Sequence, residues 1–246
     1  MFLDETCLAT GNFIAGVQVF HVEQKRSIES ILISGAEEFG LTLSDETIKK
    51  FLVYFEELTR WNEKINLTGL SSTSDIVVNL FVDSLAFSLA QNHRMGQSFI
   101  DIGSGGGFPG LPLKIVFPHI SLTLVEPKLK KVAFLHHIIG ALSLDDVCVK
   151  PQTIQDYVRM PSRPTSYDVV TFKAVKPENL FPTVLSLLHP ESRVCIYRSR
   201  SIGTGISHFH MLLDREIVYQ LPKGYGERVL SVLRPLATDV NCKPCP

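Results

Sequence analysis

The sequence predicts an α/β protein: a mostly parallel sheet covered by helices, an antiparallel hairpin at one edge, and a small helical part ahead of it. Three observations carry this. From Ser98 onward, short apolar runs alternate with helix-length amphipathic runs, the pattern of repeated βαβ units. Phe99 to Pro112 reads as a buried strand, a glycine-rich turn and a helix start. Before Ser98, apolar residues recur at helical spacing.

In order along the chain, residues 1–26 hold apolar side chains without a clean period and predict an N-terminal extension of unassigned role. Residues 27–95 predict a helical subdomain. Ile28, Ile31 and Leu32 set a helical face that Gly35 and Gly40 should break. Ser44, followed by Asp45 and Glu46, is an N-cap with acids in the first turn. The helix it opens carries Ile48, Phe51, Leu52, Phe55, Leu58 and Ile65 on one face and ends near Asn66. A further helix is expected from Asp75 to Ala90.

Residues 96–236 predict the sheet domain, and 237–246 a tail. Strands are expected at Ser98–Ile102, Ser121–Val125, Val147–Lys150, Tyr167–Phe172 and Arg193–Tyr197. Helices are expected at Leu111–Phe117, Lys128–Leu142 and Glu178–Leu188. Glu216–Leu221 and Val229–Leu233 are close enough in sequence to pair as the antiparallel edge hairpin.

Composition excludes several classes. At 45% apolar and 20% charged, the chain is an ordinary globular protein. No apolar run approaches the ~20 residues of a membrane-spanning helix. The start Met1-Phe2-Leu3-Asp4-Glu5 lacks the basic opening of a secretory signal, which predicts a cytoplasmic protein with no membrane partner. The net charge of −1 hides an asymmetry. Residues 1–95 hold 13 acids and 7 bases and residues 96–246 hold 12 and 17, so the second part is the one suited to a polyanion. Five cysteines give no disulfide framework. Cys242-x-x-Cys245 has no second ligand pair, and the His136/His137 and His208/His210 pairs lack a carboxylate beside them, so no metal is expected.

The chemistry sits in Asp101-Ile102-Gly103-Ser104-Gly105-Gly106-Gly107-Phe108-Pro109-Gly110. Glycines let the backbone approach a ligand closely, and the following helix start adds N–H donors. Glu126, at the end of the second strand, is placed to hold both ribose hydroxyls of an adenosine cofactor. Gly105-x-Gly107-x-x-Gly110 also fits a dinucleotide fingerprint, which leaves a nicotinamide-dependent oxidoreductase as an alternative. In the register set by the strand, however, the glycines are Gly103, Gly105 and Gly107, with bulky Phe108 at the third dinucleotide position. That register favours S-adenosylmethionine, with Asp101 placed to meet its ammonium group.

Trp61-Asn62-x-x-x-Asn66-Leu67-Thr68, then Asp83-Ser84, then the run from Asp101 to Pro112, then Gly226-Glu227-Arg228 together resemble the RsmG (GidB) family. The resemblance extends from about Ile28 to Pro235. It implies a Rossmann-like class I methyltransferase sheet and a monomeric enzyme. The enzyme would transfer methyl from S-adenosylmethionine to guanine N7 in 16S ribosomal RNA, naked or in the small subunit. It further implies cofactor contacts at Gly103, Phe108, Ile154, Gln155 and Lys173, with Lys173 and Arg198 positioning the RNA side. The chain departs from the family pattern at Asn79-Leu80 (usually Arg-His), Gln155 (usually Glu), Lys173 (usually Arg) and Arg198-Ser199 (usually Lys-Gly). These departures leave open a second reading, a cofactor-binding paralogue with weak transfer activity that acts as an RNA-binding assembly protein.

Elsewhere the expectations are plainer. Trp61 is expected to pack in the core, Asn66 and Thr68 to turn the chain, and Lys128, Lys130 and Lys131 to form a solvated helix face. Arg193, Arg198 and Arg200 are the phosphate candidates.

Overall fold

The computed structural model describes residues 7–90, 95–174, 180–202 and 210–236, with side chains from residue 22 onward. The strands are β1 (Ser98–Ile102), β2 (Ser121–Val125), β3 (Val147–Lys150), β4 (Tyr167–Lys173), β5 (Leu188–Arg198), β6 (Met211–Leu221) and β7 (Gly226–Pro235). They lie in one sheet in the order β3-β2-β1-β4-β5-β7-β6. The first five are parallel, and β7 runs antiparallel between β5 and β6. The edge hairpin is therefore present, with its second strand on the inside.

Strand order reverses between β1 and β4. At such a switch point the two following loops diverge and leave a crevice beyond the strand ends. The glycine turn follows β1, and Lys173 ends β4.

Both faces of the sheet are covered, which is why β1 is apolar at Phe99, Ile100 and Ile102 without alternation. On one face Ile100, Ile102, Val170 and Phe172 pack with Tyr157 and Phe181. Helices α7 (Ile154–Tyr157) and α8 (Phe181–Leu185) supply these two aromatics. On the other face Phe99, Leu122 and Leu124 pack with Leu111 and Phe134, from α5 (Gly110–Val116) and α6 (Leu129–Ala141). This second core continues without a break into Ile31, Phe51, Leu58 and Phe81 of the helical part.

That helical part consists of α1 (Cys7–Glu38), α2 (Asp45–Asn62), α3 (Thr73–Ile76) and α4 (Asp83–Leu85). Ser44 caps α2 as expected, its side chain accepting from the Thr47 amide at 3.2 Å. The expected helix from Asp75 to Ala90 contains a π-helical turn at Val77–Val82, where the Asp83 amide reaches back to Val78 O. It closes in a 3₁₀ turn at Ala86–Leu89. π-turns rotate the side chains that follow them and are frequent at functional sites. Here the turn carries the chain to Asp83.

Several expectations are corrected. One helix, α1, passes through the position expected to separate residues 26 and 27, and Gly35 lies inside it. Gly35 is there because a Cβ would stand 2.5 Å from Val82 Cγ1. α1 needs a bare backbone to approach the π-turn. The chain leaves the helical path at Gly40, whose φ is +72°. β5 starts at Leu188, five residues before its expected start, and α8 is correspondingly short. α7, capped by Thr153 through the Asp156 amide, was not expected. His208, Cys242 and Cys245 lie outside the described residues.

The Gly35 contact gives a prediction with a sign. Gly35→Ala should destabilise the protein by ~1–3 kcal/mol through overpacking against stiff Val82, despite its better helix propensity. Gly140→Ala in α6 meets nothing within 4 Å and should stabilise by up to ~1 kcal/mol. Urea unfolding of both variants checks the contrast.

Candidate functional site

The glycine turn is a left-handed staircase. Gly103, Gly105 and Gly107 have φ of +74°, +58° and +96°, values that side-chain-bearing residues adopt at a cost. Gly103 and Ser104 amides donate to Val125 O at 2.9 and 3.2 Å, which ties the turn to the end of β2. Glu126, only 4% exposed, extends that tie. Its Oε2 accepts from the Gly105 amide and its Oε1 from the Lys128 amide, both at 2.9 Å.

Each Glu126 oxygen accepts one amide in this way and keeps lone pairs at the mouth of the turn. The Gly105 Cβ position has nothing nearer than Gly103 O and Lys131 Nζ, both at 3.8 Å. A bare backbone beside a fixed carboxylate is the arrangement an adenosine ribose needs, so the chain's residues fit a nucleoside cofactor.

The turn is also held from below, by a residue the sequence analysis did not single out. Tyr54 of α2 is fully buried and donates its hydroxyl to Gly106 O at 2.5 Å. Its ring stacks on Phe108 at 5.3 Å and 6°, while Phe81 meets Phe108 edge-on at 5.2 Å. Gly107 must be glycine because a Cβ would lie 2.5 Å from the Tyr54 oxygen and from Leu111 Cδ1. Phe108, expected as a cofactor contact, is thus packed mainly into the helical subdomain. Tyr54 was legible only as one more residue on the Phe51–Phe55–Leu58 face.

Asp101 lies beneath the turn and is fully buried. Its Oδ2 accepts from the Gly110 amide at 3.2 Å, and its Oδ1 accepts from Thr171 Oγ1 at 3.0 Å. Asp101 thereby ties the start of α5 to β4. Burial pushes its carboxyl up to about 7, against the pull of the Gly110, Thr171 and Ser104 hydrogen bonds and the Lys173 charge.

At the end of β4, Lys173 turns toward the helical subdomain. Its ammonium forms an ion pair with Asp83 Oδ2 at 2.7 Å and donates to Asn79 O at 2.7 Å. It also sits 5.6 Å from the Tyr197 ring centre. Side chains of the pair are 13% and 7% exposed. Tyr219 donates to the other Asp83 oxygen at 2.6 Å, and Tyr197 donates to Ser84 O at 2.8 Å. Arg228 donates to Asn79 Oδ1 at 3.1 Å. Asp83 and Arg228 belong to the Asp-Ser and Gly-Glu-Arg motifs, which flagged them without revealing that they share one network. Lys173, Arg198, Asn79 and Arg228 line a cavity of about 230 Å³ beside the glycine turn's end of the sheet.

The other candidates separate. Gln155 is exposed at the start of α7, and Ile154 is buried on the far face of the sheet. Both follow β3, the strand beyond Glu126. Arg193 pairs in register with Val169, so it sits at the end of the sheet away from the glycine turn and is corrected as a crevice candidate. Trp61 packs edge-on against Phe134 at 5.6 Å, as expected. The turn after α2 is made by Asn62, whose Oδ1 accepts from the Leu67 and Thr68 amides at 2.8 and 2.9 Å. Asn66 is left exposed.

Two outcomes follow. A carboxyl held near 7 when buried, and at its ordinary value when unfolded, makes the native state bind more protons between those values. The stability it contributes is full at low pH and is lost as pH rises through about 7. Asp101→Asn should remove this slope, which urea unfolding from pH 5 to 8 measures at up to ~1.4 kcal/mol per pH unit. Lys173→Met leaves Asp83 buried without its cation and should cost ~3–5 kcal/mol. Lys173→Arg, which restores the charge, should recover most of that in the same assay.

Known proteins share this fold. A solved S-adenosylmethionine-dependent methyltransferase from Aquifex aeolicus superposes with a TM-score of 0.51 at 14% identity, covering 68% of this chain and 96% of that one. This likeness concerns the fold alone. The ribosomal RNA small subunit methyltransferase G of a Roseiflexus species (strain RS-1) is 38% identical over 75% of this chain and 79% of its own length. The enzyme of the same name from Geobacillus thermodenitrificans is 35% identical over 64% of this chain, and the match spans 65% of that relative's length. Residues 47–224 match the profile of the GidB family, described as rRNA small subunit methyltransferase G. The chain belongs to this rRNA small subunit methyltransferase G family.

Proposed function

We propose that the chain transfers a methyl group from S-adenosylmethionine to N7 of a guanine in 16S ribosomal RNA. The observation that carries the reading is the glycine turn at the switch point. It has left-handed glycines at 103, 105 and 107 and the Glu126 carboxylate at its mouth, in a chain of this family.

When bound, S-adenosylmethionine supplies an electrophilic methyl on a sulfonium. Guanine N7 offers an in-plane lone pair and carries no proton, so the chain needs no general base. Its residues hold and align. Glu126 would hold the ribose, the Gly103 to Gly107 backbone would approach the cofactor closely, and Ile154 and Gln155 would contact its base. Arg198 and Arg228 give the adjoining cavity its positive charge for the nucleotide, and Lys173, paired with Asp83, positions the end of β4 there. Alignment with exclusion of water can supply up to ~7–11 kcal/mol of the barrier. The partner is 16S rRNA or the small-subunit particle, met by a monomer in the cytoplasm. No helix among the described residues is long and apolar enough to cross a membrane.

A second reading, a cofactor-binding RNA assembly protein with weak transfer activity, draws on one observation. The Lys173 ammonium is occupied by Asp83 and Asn79 O instead of facing outward.

One experiment separates the two. Small subunits from a strain lacking the enzyme are incubated with the protein and labelled cofactor, then cleaved with borohydride and aniline. Label in 16S rRNA with cleavage at a single guanine is expected. Cofactor binding by calorimetry with no label would favour the second reading. In the same calorimeter Gly103→Asp and Glu126→Ala should each weaken S-adenosylhomocysteine at least tenfold. Unchanged affinity in both would remove the glycine turn as the cofactor site.

A further inference from the structure

We propose that a second cleft, between the loop after α2 and the start of α6, seats the RNA sugar–phosphate backbone. Lys64 and Lys128 are its phosphate contacts, beside the cofactor turn. The inference rests on the methyltransferase reading above.

The cleft has a volume of about 620 Å³ and is lined by residues 64–69 and 128–131. It gathers four lysines from two elements, Lys64 on one wall and Lys128, Lys130 and Lys131 on the other. None of these four ammonium groups has a carboxylate within ion-pair distance among the described residues. Some basic side chains elsewhere do pair: Lys25 with Glu56, Lys50 with Glu46, Arg159 with Asp156 and Arg234 with Asp214. Glu126 lies behind the cleft, but its oxygens face the amides of Gly105 and Lys128.

Four unpaired cations around one concavity repel each other, and a polyanion laid between them relieves that repulsion. The walls are stiff. Asn62 fixes the loop through two amides, and the Trp61 and His137 rings meet at 5.1 Å, tilted by 33°, across the joint between α2 and α6. Asn66 and Thr68 add uncharged donors, and Leu129, 72% exposed at the lip, offers an apolar rest for a sugar or base. Lys131 Nζ stands 3.8 Å from the Gly105 Cβ position, so the cleft opens onto the glycine turn. A strand seated there passes the cofactor loop. An ordinary solvated lysine face would not converge on a second element's lysine.

The test is a titration of 16S rRNA at several salt concentrations with wild-type protein, with K64Q/K128Q and with the control K49Q/K50Q. The control removes two charges from the other end of α2. Loss of two phosphate contacts should lower the slope of log affinity against log salt by about 1.4 to 1.8 and weaken binding at least tenfold at low salt. The control should keep both the wild-type slope and the wild-type S-adenosylhomocysteine affinity. An unchanged slope in K64Q/K128Q, an equal loss in the control, or RNA binding by wild type with no salt dependence would overturn the proposal. If wild type fails to methylate but K64Q/K128Q still loses slope, the methyl-transfer reading falls and the cleft stands. Methylation with an unchanged slope has the opposite consequence.

Discussion

The structure depends on holding one turn of backbone in a shape that it would not keep alone. Three left-handed glycines in five residues make a flexible segment, and flexibility is costly where a ligand needs a fixed surface. Three buried polar side chains remove it. Glu126 takes the Gly105 amide, Tyr54 donates to Gly106 O, and Asp101 takes the Gly110 amide. Each comes from a different element: the end of β2, the middle of α2 and the end of β1. The turn is therefore set by the meeting of the helical subdomain with the sheet as well as by its own glycines.

This explains why the helical part shares a core with one face of the sheet instead of standing apart. Tyr54 must be fully buried to reach beneath the turn, and the aromatic stack of Tyr54, Phe108 and Phe81 seals it there. A second joint, the Asp83–Lys173 pair with Tyr219 and Asn79 around it, closes the far side of the crevice. A buried ion pair adds little net stability compared with apolar packing, but breaking one partner is costly. In this position it acts mainly to fix where the end of β4 lies relative to the π-turn. The helical subdomain thus shapes both walls of the crevice, the cofactor side through Tyr54 and the nucleotide side through Asp83.

Much of this was legible in the sequence. Strand–helix alternation gave the parallel sheet, because βαβ units leave a period that no other arrangement mimics. The glycine spacing gave the turn, and Glu126 was found from its place after the next strand. What stayed hidden was long-range. Gly35 looked like a helix breaker because its partner, Val82, is far along the chain. Tyr54 looked like a core aromatic because the carbonyl it serves lies 52 residues on. Asp101 and Lys173 carried the expectation of ligand contact. Their bonds within the chain, Asp101 to Gly110 and Thr171 and Lys173 to Asp83, are revealed only by the pairing of β1, β4 and the π-turn. Lys128 and Lys130 at the start of α6 are exposed, as expected of a solvated face, and only the fold brings Lys64 opposite them.

The central claim is that the helical subdomain sets the cofactor turn through one hydroxyl. Calorimetric titration of S-adenosylhomocysteine into Tyr54→Phe tests it most directly, since the substitution keeps the ring and its stack on Phe108. Removing the hydroxyl leaves Gly106 O unbonded and frees the turn, so affinity should fall about five- to tenfold, near 1–1.5 kcal/mol for one hydrogen bond. Circular dichroism should remain that of the wild type. Wild-type affinity in a folded Tyr54→Phe protein would contradict the account.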